Sequence, residues 1–253
     1  MKTALTIAGS DPTGGAGLQA DLRVFRAFGV HGLSVPSCLT AQNTEGVDDI
    51  RPVEAPFFRK QLELLLEDIR PEALKTGMLY TAAAVEETAR AVSERSLSNL
   101  VVDPVAISST GVSLMEEGAL DAVRERLFPL SRVITPNIYE AALLTGINTE
   151  AAEMELVARS LREMGPEVVV VTGGHLLGVA VDLYFDGEEV HRLEGDKAEG
   201  DYHGTGCAFS AAIAALLALG HTPLEAARGA KDYVQEAIRK AHAPGRGMRV
   251  LYL

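Results

Sequence analysis

Residues Gly204-Thr205-Gly206-Cys207 stand where a polar loop runs into Ala208–Gly220, a stretch apolar on nearly every side. The pattern predicts a buried helix whose first turn contains two glycines. Amides of a first turn have no partner inside the helix, and the aligned peptide dipoles place about half a positive charge there. With backbone open to close approach, such a turn forms an anion hole suited to a phosphoryl group in transfer. Cys207 stands in the same field, which favours a thiolate and predicts a depressed pKa. Taken alone, these residues fit a tight loop-to-helix turn with a small buried cysteine equally well.

Other candidates stand where short apolar runs end. The run LVVD places Asp103 at the tip of a predicted strand, where ligands sit in open α/β sheets, although a structural cap accounts for it as well. Asn137 and Glu140 share one face of a predicted helix start after Pro136, a spacing that suits either a water-bridged Mg²⁺ or an ordinary capping box. Gln42, in the polar stretch QNTEG, can donate and accept, as a neutral heterocycle requires; a solvated turn explains it equally. After the run EVVVVT, which ends at Thr172, Gly173-Gly174 lets backbone lie flat against a planar or charged group.

The elements that must position these residues alternate along the chain. A strand over 3–8 leads through the glycine-rich segment 9–17 into a helix with apolar residues at Leu18, Leu22, Phe25 and Phe28. Further strands are predicted at 33–41, 73–79, 100–103, 132–135 and 167–172. Helices are predicted at 56–70, 82–95, 116–128, 150–164 and 223–241. VAVDLYF and EEVHRL, joined at Asp186-Gly187, read as an antiparallel hairpin over 179–193. The expected architecture is a three-layer α/β/α domain over residues 1–253, with a mostly parallel central sheet and strand ends gathered on one edge. Gly9 to Gly14 has P-loop spacing but Gly15 stands where its lysine belongs, and Gly15-Ala-Gly17 lacks the acid expected of a dinucleotide site.

Composition narrows the class. The 253 residues carry a formal charge of −12, which argues against nucleic acid or anionic membrane as partners. Phosphates must then be held by backbone amides, a metal and a few local cations. Two cysteines, Cys38 and Cys207, and no leader-like or spanning segment predict a cytoplasmic protein with free thiols.

The stretches ALTIAGSDPTGGAGLQADL, TAQNTEGV, KTGML, VVDPV, ITPNIYEA, GGH and HGTGCAFSAAIAA together resemble the ribokinase-like superfamily. Within it they are similar to the hydroxymethylpyrimidine/phosphomethylpyrimidine kinases of thiamin biosynthesis. The resemblance implies an ATP- and Mg²⁺-dependent kinase, and a homodimer. It implies that Gly9 and Gln42 bind the pyrimidine, Met78 packs on it and Asp21 lies near its reacting end. Asp103 and Glu140, with Asn137, would organise Mg²⁺ and the ATP phosphates. Thr172, Gly173 and Gly174 would lie along the nucleotide. Gly204, Thr205 and Gly206 would form the anion hole, and Cys207 stands where the wider superfamily has an aspartate as general base.

Departures from the pattern carry their own expectations. Thr172 replaces the lysine that usually precedes GGH, Ala106 and Ser108-Ser109 alter the loop after VDPV, and GRGMRVLYL closes the chain. Loss of a phosphate-facing cation should weaken a second phosphorylation, on an anionic monophosphate, more than the first. Thr before GG resembles the pyridoxal kinases of the same branch, so a pyridoxal substrate stays open, as does a non-catalytic pyrimidine sensor.

Overall fold

The computed structural model describes residues 1–107, 111–148, 153–174, 180–196 and 198–253. Its main sheet holds β1 (Thr3–Ser10), β2 (His31–Asn43), β3 (Gly46–Pro52), β4 (Ala73–Thr76), β5 (Leu100–Val102), β6 (Val133–Ile134), β7 (Val168–Val171), β8 (Ala180–Phe185) and β9 (Val190–Gly195). Among the described residues these form a 9-stranded sheet in the order β3-β2-β1-β4-β5-β6-β7-β8-β9. The pairings from β2 through β7 are parallel, while β3, β8 and β9 add antiparallel edges. The β8–β9 hairpin matches the expectation.

Side chains alternate across the pleat and so build two cores from the same short strands. Leu5, Leu74, Leu100, Val102, Ile134 and Val169 pack against α2 (Ala55–Asp68), α3 (Ala82–Glu94), α5 (Ile138–Thr145) and α6 (Met154–Arg162). Ala4, Ala73, Val101, Val133, Val168 and Val170 face α1 (Gly17–Ala27), α7 (Thr205–Ala218) and α8 (Pro223–Arg239) on the other side. The layers are therefore α/β/α. Every residue of α7 from Ala208 to Ala218 is buried, which explains a helix with no polar face.

Two stretches differ from their sequence reading. The polar segment after β2 is the tip of an antiparallel hairpin: Asn43 Oδ1 accepts from the amides of Glu45 at 2.8 Å and Gly46 at 3.2 Å, and β3 follows. In β3, Asp48, Asp49, Arg51 and Pro52 are exposed, so no apolar alternation marked it as a strand. The helix expected over 116–128 becomes α4 (Ala119–Ala122), a π-turn over Val123–Leu127 and a 3₁₀ turn over Phe128–Leu130. Pro129 lies in that last turn, where it cannot donate to an α-helical ladder.

Chain direction places the site. From β1 the chain passes to β2 on one side, and it later returns through β4 on the other. The loops after β1 and β4 thus diverge, opening the crevice that such a reversal of strand order leaves. A short parallel pair, β10 (Tyr202–His203) with β11 (Arg249–Val250), ties the C-terminal tail to the segment before α7.

Candidate active site

A cavity of about 600 Å³ lies at that crevice. Gly9, Gln42 and Met78 line its β1–β2 side, and Asp103, Asn137 and Glu140 line the side reached from β5 and β6. Gly204, Thr205, Gly206 and Cys207 line it as well, at the start of α7. Sequence-remote candidates therefore share one cavity.

The glycines divide into those the fold needs and those it leaves open. A β-carbon on Gly9 would come within 2.9 Å of Cys38 Sγ and 3.4 Å of Met78 Sδ. Gly204 has φ 85°, and a β-carbon there would lie 1.8 Å from the Gly15 carbonyl oxygen. At Gly206, by contrast, an added β-carbon would meet only Asp103 Oδ2, at 3.9 Å. Packing does not require glycine at 206; the bare backbone faces space that a ligand can fill.

The first turn of α7 does open onto the cavity, but its cysteine does not carry the expected charge. Burial pushes the Cys207 thiol up to about 12; Lys75 pulls it down while Asp103 and Asp21 push further up. Desolvation outweighs the pull of Lys75 and the Gly17 amide, so the depressed pKa read from the sequence is corrected to a raised one. The Gly17 amide, at the start of α1, donates to this sulfur, so two helix N-termini converge on it.

Asp103 and Glu140 are buried carboxylates whose charges repel. Burial raises Asp103 to about 6, against the attraction of Lys75 and a hydrogen bond from Ser210 Oγ at 3.0 Å. Glu140 is raised to about 8 by burial and then by the Asp103 charge. Asn137 and Glu140 also form a complete capping box: Asn137 Oδ1 accepts from Glu140 N at 3.0 Å, and Glu140 Oε2 accepts from Asn137 N at 3.0 Å. The cap and a cation-facing role are thus compatible, since a cation between the two carboxylates would relieve their repulsion. Among the described residues no group of three or more metal-ligating side chains gathers, so such an ion would take its remaining ligands from phosphate and water.

Two expectations on placement change. Asp21 does not reach the cavity: it is fully buried on α1, with its oxygens taken by Lys75 and Thr6. Its position "near the reacting end" is corrected to a layer beneath the cavity wall. Thr172, Gly173 and Gly174 lie at the end of β7 beside Asn137, off the cavity wall. The Thr172 amide donates to the Pro136 carbonyl at 2.9 Å, and the Gly173 amide to Asp182 Oδ1 at 2.9 Å. Asp182 is held in turn by Lys231 at 2.7 Å. His175 of GGH, with Ser108 and Ser109, lies outside the described residues.

Sequence reasoning missed Asp11, His203 and Met248. Asp11 accepts from the amides of Thr13 and Ala16 at 2.8 Å each, from Thr13 Oγ1 at 2.9 Å, and faces His203 Nε2 at 2.9 Å. Burial alone would raise it, but hydrogen bonds from His203, Gln42 and Thr13 hold it down at about 2. It thereby fixes the 9–17 loop and the side chain of Gln42. An acidic residue three before a Gly-Gly pair resembles ordinary turn chemistry, and the only signal was the fall from strand to Asx-turn. Met248 enters the cavity because the tail is pinned on the β2–β3 turn: the Met248 amide donates to Thr44 O at 2.9 Å and the Gly247 amide to Thr44 Oγ1 at 3.1 Å.

A nine-stranded α/β/α sandwich, counted over the described residues, with a helix start and two buried carboxylates lining a cavity at its strand-order reversal has the ribokinase-like fold. Residues 11–251 match the phosphomethylpyrimidine kinase family, and the chain belongs to it. The chain is 44% identical over 248 residues to a hydroxymethylpyrimidine/phosphomethylpyrimidine kinase of Synechococcus elongatus, covering 96% of this chain and 94% of that one. It is similar to a Bacillus subtilis pyridoxal kinase solved as an ADP complex, with TM-score 0.92, 36% identity, and 99% and 96% of the two chains covered. It is also similar to a phosphomethylpyrimidine kinase of Clostridium difficile, with TM-score 0.84, 40% identity, and 94% and 100% covered.

Proposed function

We propose that the chain, as one kinase domain, transfers the γ-phosphoryl group of ATP to the hydroxymethyl group of an aminopyrimidine, and then a second group to the monophosphate. The observation that supports this most is the open backbone of Gly206 beside the raised, mutually repelling pair Asp103 and Glu140. Amides without partners meet the transferring group, and two carboxylates face the polyphosphate side. A Mg²⁺ ion held by Asp103 and Glu140 through water, with Asn137 beside them, would neutralise phosphate charge during the transfer.

Gln42, fixed by Asp11, and Met78 suit a flat heterocycle with polar edges, with Gly9, which Cys38 and Met78 crowd, on the same wall of the cavity. The acceptor hydroxyl then lies near Cys207. Its thiol is neutral in the free protein, so it serves as a base only after giving up its own proton to solvent, and Lys75 and the Gly17 amide are the groups that favour the resulting thiolate. Thr172, Gly173 and Gly174 support the nucleotide from the end of β7. No described helix is long and apolar enough to cross a membrane. A cytoplasmic homodimer without nucleic-acid partners fits the composition and the family.

Pyridoxal is the second substrate to test, because the pyridoxal kinase neighbour superposes at TM-score 0.92 and Thr172 stands in place of a lysine. The deciding assay presents hydroxymethylpyrimidine, its monophosphate and pyridoxal in parallel with ATP and Mg²⁺, and identifies products by mass. Diphosphate product supports both steps. Monophosphate alone, or preference for pyridoxal, restricts the enzyme to a single phosphorylation; no turnover removes the kinase reading.

A further inference from the structure

A charged pair lies in the sheet where its neighbours are apolar. Lys75 on β4 and Asp21 on α1 are both 0% exposed. Lys75 Nζ lies 3.1 Å from Asp21 Oδ1 and 2.9 Å from Oδ2, and Thr6 Oγ1 donates to Oδ2 at 2.5 Å. Thr6 and Lys75 are cross-strand partners on β1 and β4, on the face covered by α1 and α7. Ala4, Ala73 and Val101 fill the same face.

Packing gives no reason for charge at this point, because an apolar pair of similar volume in place of a buried ion pair is often neutral or stabilising. Yet the chain makes room for it. A β-carbon on Gly77 would lie 2.8 Å from Lys75 Nζ.

The pair has a direction. Beyond Asp21, the ammonium acts on Cys207 and Asp103, and each of these feels Lys75 more strongly than Asp21. Helix α7 packs on β4, and Gly77, whose added β-carbon would meet Lys75 Nζ, directly precedes Met78 of the cavity wall, so the ammonium sits at the cavity end of β4 on the face that α7 covers. Asp103 is tied to that turn as well, through Ser210 Oγ, which also donates to the Gly206 carbonyl at 3.0 Å.

We propose that Lys75, held in place by Asp21, is an electrostatic positioning residue for phosphoryl transfer, its ammonium providing a fixed positive potential beneath the anion hole without touching the ligand. The inference rests on the reading that a phosphoryl group occupies the Gly204–Cys207 turn. A buried charge needs no reorganisation as negative charge develops above it, and no water screens it. Negative charge gathering on the phosphoryl oxygens, or on Cys207 once its thiol has given up its proton, is stabilised alike.

The test compares Lys75→Met/Asp21→Asn, which removes both charges, with Thr6→Val, which disturbs the same buried cluster but leaves the cation. Two readouts are taken: steady-state kinetics, and the alkylation rate of Cys207 by iodoacetamide, followed by peptide mass so that Cys38 is separate. The double variant is expected to lose about 10- to 100-fold in kcat, with KM changed less than about threefold, and to alkylate at Cys207 several-fold more slowly. Thr6→Val should keep both near the parent. The proposal is overturned if the folded double variant stays within about twofold of the parent in both readouts, or if Thr6→Val reproduces its losses. Should the double variant not fold, Lys75→Met alone, in which Asp21 can take up a proton, must show the same slowing; if neither folds, the pair is structural and the proposal falls. Alkylation needs neither ATP nor heterocycle, so a wrong substrate assignment leaves that arm readable.

Discussion

Gly204 and Gly15 meet backbone to backbone: a β-carbon on Gly204 would lie 1.8 Å from the Gly15 carbonyl oxygen. The loop before α7 is thereby seated on the loop after β1, and Gly204 takes a left-handed φ of 85° to make the join. Gly206, two residues on, has no such neighbour. Gly204→Ala should therefore cost stability through both strain and clash, on the order of 1–3 kcal/mol or more. Gly206→Ala should melt near the parent yet lose at least about tenfold in kcat, because its methyl group would occupy the anion hole. Thermal melts and kinetics of the two variants check this, and equal melting losses would put both glycines in the same structural class.

Cys207 is held as a thiol in the free enzyme, and it can take the acceptor proton only after its own proton has left. Its thiol is pushed up to about 12, so the free enzyme should carry little thiolate at Cys207 near neutral pH and alkylate there slowly, faster as pH rises. Cys207→Ala should lower kcat by about 10²- to 10⁴-fold if the sulfur takes the acceptor proton, with substrate KM little changed. Retention of most of the turnover would end the general-base role and leave Cys207 as a wall of the cavity.

The carboxylate pair predicts a pH dependence with a definite sign. Asp103 and Glu140 hold protons more tightly in the folded state than in the unfolded chain, with folded values of about 6 and about 8. Their contribution to stability is full below the ordinary carboxylate range, near pH 4, and is lost as pH rises through those values. The metal-free protein should thus lose thermal stability between about pH 5 and pH 8, and Mg²⁺ should restore more of it at the upper end. Glu140→Gln, which can still accept from the Asn137 amide, should flatten this profile and weaken Mg·ATP binding. An unchanged profile would show that the two charges are not coupled as described.

Asp11 joins three parts of the cavity, and its removal should be felt in both stability and substrate binding. Asp11→Ala leaves the Thr13 and Ala16 amides and His203 without their shared acceptor. A loss of about 1–3 kcal/mol per orphaned buried group sets the scale, reduced where water reaches the loop. Because Gln42 also leans on Asp11, KM for the heterocycle should rise while KM for ATP holds. Urea melts and paired KM measurements separate the two effects, and a shared rise in both KM values would argue for general loosening.

How much of this was legible follows from what each residue answers to. The parallel strands were plain because they are buried on both faces and read as unbroken apolar runs, such as Val168–Val171. Strand β3 was not, since its charged residues face solvent and register with β2 alone holds it. Asp103, Glu140 and the Gly204–Cys207 turn could be placed because strand ends and helix starts fix them. Asp21 was misplaced because a helix face says nothing of depth, and its partner Lys75 sits inside an apolar run where a lysine ordinarily ends a strand. Asp11 and His203 are far apart in the chain, and only the fold brings them within 2.9 Å.

Thr172 offers the sharpest test of how the two phosphorylations differ. It stands at the end of β7, its amide bonded to the Pro136 carbonyl and bridged to Asn137 at the start of α5. It is half-buried, so a longer side chain can extend toward solvent without displacing core. Thr172→Lys should add a cation beside Asn137, which does line the cavity. An ammonium that gains charge-assisted hydrogen bonds only with an anionic acceptor should raise kcat/KM for the monophosphate by about tenfold and leave the alcohol within about threefold. Parallel kinetics on the two pyrimidines, repeated at high salt to screen the added charge, read this out. If Thr172→Lys changes both substrates equally, the missing cation is not what separates the second transfer from the first, and the limit must lie in the cavity wall formed by Met248 and the β2–β3 turn.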